Sequence, residues 1–445
     1  MIYDFIEIDQ NSDTAMYEQL YHQLKLGIDN KLILTNEKLP SIRTAAKELK
    51  VSHTTIENAY FRLCNEGYIE NKPQRGYFVK TPPKQNLIPN PIKKQTKEPL
   101  YDFSSGRIDI SAADIPVWKK YVRNVLNREL EISTYGLPQG ELVLRKAISS
   151  YIFTTRGVIS TSDNIIVGAG IQQLISIFCC ISEKTTVAFE YPGFKYAEQI
   201  FRDFGFKIIY INDPNNPELT LANSLADIYF HIPSFKVKTS ASSTHSEKAR
   251  LITWLNSSDK HYIIEDDFNG ELSFSSRLIP AMQNMAPQRI IYMGSFSKLL
   301  LPSVRIAYMV LPLELLTKYQ LISNYYNQTA SKIEQIALAE YIKDGYLEKH
   351  LRRLKKLYSN KSEKLLAIIN HYFKDGDAKI LESSLSVILK INSSLSDAEI
   401  ENSLNEVGIR ISSIHSHIIK LNFAGIAIDK MDEAIKVLHD NLANS

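Results

Sequence analysis

Apolar residues return every three or four positions over Met16–Leu32, where Tyr17, Leu20, Leu24 and Ile28 mark one face of an amphipathic helix. Pro40 and Ser41 signal a new start, with Ser41 placed to cap a helix running to about Leu49. After a turn at Lys50–Ser52, the positions Thr55, Ile56, Ala59, Tyr60 and Leu63 carry the same beat into a third helix ending near Gly67. Two short extended pieces follow, Tyr68–Asn71 and Gly76–Lys80, around a turn at Lys72–Arg75. Three helices with a helix-turn-helix and a β-hairpin predict a winged helix.

Farther on the pattern changes to apolar, β-branched runs at Asn164–Val167, Thr186–Glu190, Lys207–Ile211, Asp227–Ile232, His261–Glu265, Arg289–Met293 and Val304–Val310. Helical patterns separate most of them, which predicts an α/β doubly wound, mostly parallel sheet. Beyond Pro312 come long charged helices such as Tyr346–Phe373, then strands near Ser384–Ile391, Ile409–Ile414 and Ile418–Phe423 in a smaller α+β unit. Residues 81–100 hold five of the chain's 17 prolines and four lysines with little apolar periodicity, as an extended linker does. The expected organisation is therefore a module over 1–80, a linker over 81–100 and a second region over 101–445, divided at about 312 into a large part from about 136 and a small part from 313.

Composition narrows this reading. A chain of 445 residues exceeds one core, and 44% hydrophobic with 23% charged residues excludes a wholly disordered protein. Three cysteines exclude a disulfide scaffold; adjacent Cys179 and Cys180 lie in an apolar run and are expected to be buried thiols. No metal site is expected, since no CxxC or spaced histidine pair accompanies them. The start, MIYDFIEIDQ, lacks the features of a signal peptide, and no run of 18 apolar residues exists, so no membrane association and a cytoplasmic location are expected.

The net charge of +3 is modest, but it is unevenly spread. Residues 38–80 hold eight Lys or Arg against four Asp or Glu, while the first 37 residues are acidic. A basic stripe on a helix-turn-helix suits phosphate neutralisation, and the second helix then presents its first turn to base edges. Those residues are Ser52, His53, Thr54 and Thr55, with Ser41 and Arg43 reaching phosphates and Arg75 and Gly76 at the wing tip near a minor groove. The competing reading is a winged helix used for protein contacts alone. The run LPSIRTAAKELKVSHTTIENAYFRLCNEGYIENKPQRGYFV resembles the DNA-binding domain of GntR regulators, which implies a double-stranded DNA operator as partner. His53 departs from the arginine usual there.

In the second region, RIIYMGSFSKLLLPSVRIAYMV sets Lys298 just after a buried strand, flanked by Ser295 and Ser297. Desolvation there would leave the amine neutral enough to form a Schiff base with an aldehyde, and Arg305, seven residues on, offers a fork for a phosphate. A surface lysine is the bland alternative. A serine acyl-transfer site built on Ser295–Lys298 is excluded by the order of its companion, Lys238–Ser240. Asp266, ending YIIEDD, is placed to hold a pyridine nitrogen protonated. Gly168 and Gly170 stand between a strand and a helix, so the N–H groups of Ile171 and Gln172 could hold the phosphate. Phe194 is either a ring-stacking residue or a core aromatic.

Together these residues resemble fold-type I aminotransferases over roughly 101–445, which implies pyridoxal 5'-phosphate as cofactor. The resemblance further implies that Tyr135 reaches the phosphate of a neighbouring subunit's cofactor, hence a homodimer with shared sites. A GntR-type domain fused to such a domain is similar to the MocR and GabR regulators. That implies a transcription regulator sensing an amino compound or the cofactor itself, rather than an efficient enzyme. Three departures bear on this: Phe268 stands where a tyrosine normally bonds the cofactor's O3′, Val237–Ser240 lacks the usual asparagine, and Lys420 replaces the arginine that grips substrate carboxylates. Arg410 is the alternative grip. An active aminotransferase with a fused DNA-binding domain, and a regulator that has lost the cofactor, are the remaining readings.

Overall fold

The computed structural model describes residues 3, 5–9, 12, 14–80, 98–104, 106–190, 193–211, 216–233, 245–274, 280–374, 377–381 and 384–443. The chain forms two compact units, Met1–Thr96 and Lys97–Ser445.

In the first unit, helices Met16–Asp29, Ile42–Leu49 and His53–Asn65 precede a hairpin of Ile69–Lys72 with Gly76–Val79. The serine caps explain two of the helix starts. Ser41 Oγ accepts the Thr44 N–H at 3.2 Å and Ser52 Oγ accepts the Thr55 N–H at 3.1 Å. The first helix stops at Asp29, short of the predicted Leu32, because the N–H groups of Leu32 and Ile33 both turn back to the Gly27 carbonyl. Lys50 takes the left-handed conformation (φ 52°) to close the second helix. At the wing tip Gly76 has φ 95°, a backbone that favours glycine. Leu20, Leu24, Ala45, Ile56, Tyr60, Leu63 and Val79 fill one core.

The second unit is built on a seven-stranded sheet. Its order is Ile165–Gly168, Ala307–Val310, Ile290–Ser295, Tyr262–Asp266, Ala226–His231, Thr186–Glu190 and Lys207–Ile211. Ala307–Val310 runs antiparallel to both neighbours and the remaining pairs are parallel. It begins at Ala307 rather than at Val304, because Pro302–Val304 is a 3-10 turn and Arg305 is left-handed (φ 50°). A second, antiparallel sheet joins Asp377–Leu381, Ser386–Lys390, Ile418–Asn422 and Ser413–His415. Its first strand has no counterpart in the sequence reading, since its alternating exposed and half-buried residues give little apolar signal. Helix Tyr346–Tyr372 packs on this sheet, and so many of its leucines and tyrosines join the same core that both parts of the unit share one apolar interior.

One expectation is corrected. Cys179 is buried, but Cys180 is exposed. On a helix, adjacent residues point about 100° apart, so an apolar run does not bury every member.

Candidate functional site

Strand register gathers the predicted cofactor residues at one edge of the large sheet. Gly168 pairs with Ala307, and Ala307 with Ser295, so the ends of three strands meet in one row. Asp266 pairs with Met293 in the adjoining strand, two residues before Ser295. Ligands of open α/β sheets bind outside such strand ends.

Glycines make the phosphate end possible. A Cβ built on Gly170 (φ 133°) would stand 2.5 Å from a terminal guanidinium nitrogen of Arg305, so any side chain there would displace that group. Gly170 also begins helix Ile171–Ile181 and supplies no side-chain cap, which leaves first-turn N–H groups, including those of Ile171 and Gln172, for another acceptor. The turn is braced from behind. The Ala169 N–H is shared by Gln173 Oε1 at 3.0 Å and Thr329 Oγ1 at 3.1 Å, and Thr329 is a partner that local sequence does not reveal.

Strand alternation sorts the acidic run Glu265–Asp267. Ile264, Asp266 and Phe268 share a parity, and Ile264 packs in the apolar cluster against which Ile171, Phe194 and Phe268 also rest. Glu265 and Asp267 face the opposite side. There Glu265 accepts the Met282 and Gln283 N–H groups at 2.8 and 2.9 Å. Asp267 Oδ2 accepts from Arg156 Nε at 2.7 Å and from the Tyr292 hydroxyl at 2.9 Å, all deep in the protein. The Arg156–Asp267 pair was invisible to the sequence reading because 111 residues separate its members. The alternation itself, however, was a signal that Asp266 alone of the three lies on the face of Ile264 and Phe268.

Asp266 is a buried acid with an unsatisfied oxygen. Its Oδ1 is buried with no hydrogen-bond partner among the described residues. Burial, with the Asp267 charge second, pushes its carboxyl up to about 8. Burial also pushes the Lys298 ammonium down to about 8. Lys298 Nζ lies 5.5 Å from the centre of the Phe268 ring. The Ser297 N–H donates to Ser295 Oγ at 3.2 Å, which fixes the turn before the lysine. Lys420, on strand Ile418–Asn422, is near enough that its ammonium, driven down to about 8 mainly by burial, also feels the Lys298 charge. Arg410 belongs to a short parallel pairing with Asp102, and the Phe103 N–H donates to its carbonyl. Tyr135 is 92% exposed. Val237–Ser240 lies outside the described residues.

The residues present fit pyridoxal phosphate. A pyridinium N–H is the partner that the lone Asp266 oxygen lacks, the Gly170–Arg305 cradle suits a phosphate, and Lys298 supplies an amine with a lowered pKa.

In the first unit, Arg43, His53, Thr54 and Arg75 are exposed, while Ser41 and Ser52 are exposed but share their hydroxyls with Thr44 and Thr55 at 2.8 Å. Arg75 lies 5.8 Å from the centre of the Phe78 ring, and Gly76 completes the wing turn.

Residues 16–79 match the bacterial regulatory proteins of the gntR family, and 98–438 match aminotransferase class I and II. The chain is 31% identical over 97% of both lengths to the uncharacterized HTH-type transcriptional regulator YdeL of Bacillus subtilis. It is 25% identical to the probable rhizopine catabolism regulatory protein MocR of Rhizobium meliloti, covering 97% of this chain and 94% of the relative. The chain belongs to the MocR-type regulators. The HTH-type pyridoxine biosynthesis transcriptional regulator PdxR of Corynebacterium glutamicum is 25% identical over 80% of this chain and 79% of its own. The fold of the second unit is that of fold-type I aminotransferases. An archaeal alanine:glyoxylate aminotransferase superposes with a TM-score of 0.71 at 18% identity, covering 79% of this chain and 92% of its own. Pyrococcus horikoshii kynurenine aminotransferase, solved with PMP, gives 0.68 at 20% identity, covering 78% and 92%. As a MocR-type chain it carries a GntR helix-turn-helix, hence a DNA-binding domain, and among its described residues no helix is long and apolar enough to cross a membrane.

Proposed function

We propose that this regulator binds pyridoxal 5'-phosphate through Lys298 and uses the loaded site to sense an amino compound, or the cofactor itself, in controlling an operator. The unpartnered, buried Asp266 carboxylate carries this reading, since an isolated buried acid is unfavourable until a cationic ligand meets it. When bound, the cofactor would supply an aldehyde for a Schiff base and an electron sink. The chain's residues would do the rest: Arg305 and the N–H groups after Gly170 hold the phosphate, Asp266 keeps a proton on the pyridine nitrogen, and Phe194 and Phe268 flank the ring. Lys420 faces the Lys298 side, where it would attract a ligand's carboxylate without arginine's planar two-point grip. With Phe268 unable to donate a hydrogen bond, the site favours ligand recognition over rapid turnover.

Residues 1–80 form the DNA-binding part of this reading, joined by 81–100 to a sensing part over 101–445. The exposed Tyr135 fits a homodimer in which each protomer completes the other's site. Such a regulator acts where the chromosome lies, in the cytoplasm.

Adding the cofactor to purified protein should produce visible absorbance that borohydride bleaches, leaving a reduced adduct on Lys298. Lys298→Ala should lose both signals and keep its secondary structure. A reduced adduct retained on that variant overturns the assignment. Because burial brings the amine down to about 8, the rate of adduct formation should rise with pH and level off above about 8, not above the usual lysine range.

A further inference from the structure

The second unit has its first strand in a separate two-stranded sheet, tied by one backbone bond to the strand that carries Lys420. Tyr101 and Asp102 pair in parallel with Ile409 and Arg410. Phe103 then joins two strands: its N–H donates to the Arg410 carbonyl at 2.8 Å, and its carbonyl accepts the Asn422 N–H at 2.9 Å. Asn422 is two residues beyond Lys420 on the same strand. Phe103 is itself fully buried, in the same core as Leu421 and Phe423.

A second join lies a few residues on. Lys361, from the long helix, has no exposed surface, yet its Nζ donates to Asp109 Oδ2 at 2.8 Å and to the Ala424 carbonyl at 3.0 Å. One buried ammonium therefore ties the leading segment to the loop that ends the Lys420 strand. Arg107 adds to this join, bridging to Asp102 at 3.2 Å, and a Cβ on Gly425 would stand 2.5 Å from Arg107 Cβ. An apolar side chain would pack here without the desolvation that a lysine suffers. The lysine instead pairs one carboxylate with one backbone carbonyl, a selective join that an apolar contact would not make.

We propose that this leading segment, Tyr101–Asp109, is the output element of the ligand site. Loading of the cofactor site at Lys298, beside the Lys420 strand, orders the segment through Phe103 and the Lys361–Asp109 pair, and the change passes along the continuous backbone towards the DNA-binding unit. The inference rests on the cofactor reading above.

Hydrogen exchange on the full chain, with and without pyridoxal phosphate, tests it. With the cofactor at about ten times its dissociation constant, exchange through ligand-sensitive opening should slow roughly tenfold. That slowing should appear together in peptides over 101–109 and 418–425. Lys361→Met should keep the reduced adduct on Lys298 and the slowing at 418–425, but lose it at 101–109. Asp109→Asn, which retains an acceptor for the ammonium, should show the same loss more weakly, and it guards against a folding defect in the first variant. Unchanged exchange at 101–109 in the wild type with the adduct formed overturns the proposal, as does full slowing there in both variants. Loss of the adduct in both variants also overturns it, because the pair would then hold the site together rather than relay from it. No adduct in the wild type instead overturns the cofactor reading.

Discussion

The two units treat charge in opposite ways. In the DNA-binding unit ionic groups lie at the surface and find partners there. Lys25 meets Glu66 at 2.7 Å, Arg62 stacks 4.1 Å from the centre of the Tyr21 ring, and Lys72 and Lys80 hold the Glu70 carboxyl below its usual range. In the aminotransferase-like unit Asp266, Lys298 and Lys420 are driven towards neutrality by burial. A surface that recognises a polyanion can keep its cations hydrated, because many weak contacts and released counterions supply the affinity. A pocket for one small molecule concentrates its recognition in a few desolvated groups, and each is uncomfortable until the ligand arrives. The contrast predicts large, local effects in one unit and small, distributed ones in the other.

The largest expected effect is at Asp266. Breaking a buried charge pair typically costs about 3–5 kcal/mol, so Asp266→Asn should weaken cofactor retention by a factor on the order of 100 or more. A fluorescence or absorbance titration measures it. The same change should stabilise the cofactor-free protein. The Asp266 carboxyl is raised to about 8 in the fold, whereas it ionises near its ordinary value of about 4 when unfolded. Folding therefore takes up a proton between those limits, and stability falls as pH rises through that window. Asp266→Asn should remove that fall in a pH series of thermal melts. Equal pH dependence in both proteins would place the stress on another group.

Phe268→Tyr should come next. Provided that the new hydroxyl reaches the cofactor's O3′, a hydrogen bond to a charged group adds about 1.5–3 kcal/mol, or about one to two pH units. The midpoint of the pH titration of the visible absorbance should fall by that amount. An unmoved midpoint would mean that the ring does not face O3′.

The smallest single effects belong to the DNA-binding unit. Arg43→Ala and Arg75→Ala should each lower operator affinity modestly and reduce the salt slope by about one. The cofactor absorbance should be untouched. Wild-type affinity and slope in both variants would move the DNA surface elsewhere.

What the sequence discloses follows the range of the forces involved. The helices and hairpin of the DNA-binding unit depend on caps and spacings within a dozen residues, so Ser41, Ser52 and the apolar beat announce them. Lys298 and Arg305 can be paired in a proposal for the same reason, being close in sequence around one turn. Hidden were the partners that meet only after folding: Arg156 beneath Asp267, Thr329 against the glycine turn, and Lys361 under Asp109. The two-residue strand Tyr101–Asp102 is too short for any periodicity to register.

Tyr135 has a genetic consequence. It is almost wholly exposed, and in the dimeric reading it serves its neighbour. A subunit lacking Lys298 and a subunit lacking the Tyr135 hydroxyl would then be complementary alleles. Mixed in one cell, they would assemble some pairs with one ruined pocket and one wholly intact, and partial regulation would return although neither allele works alone.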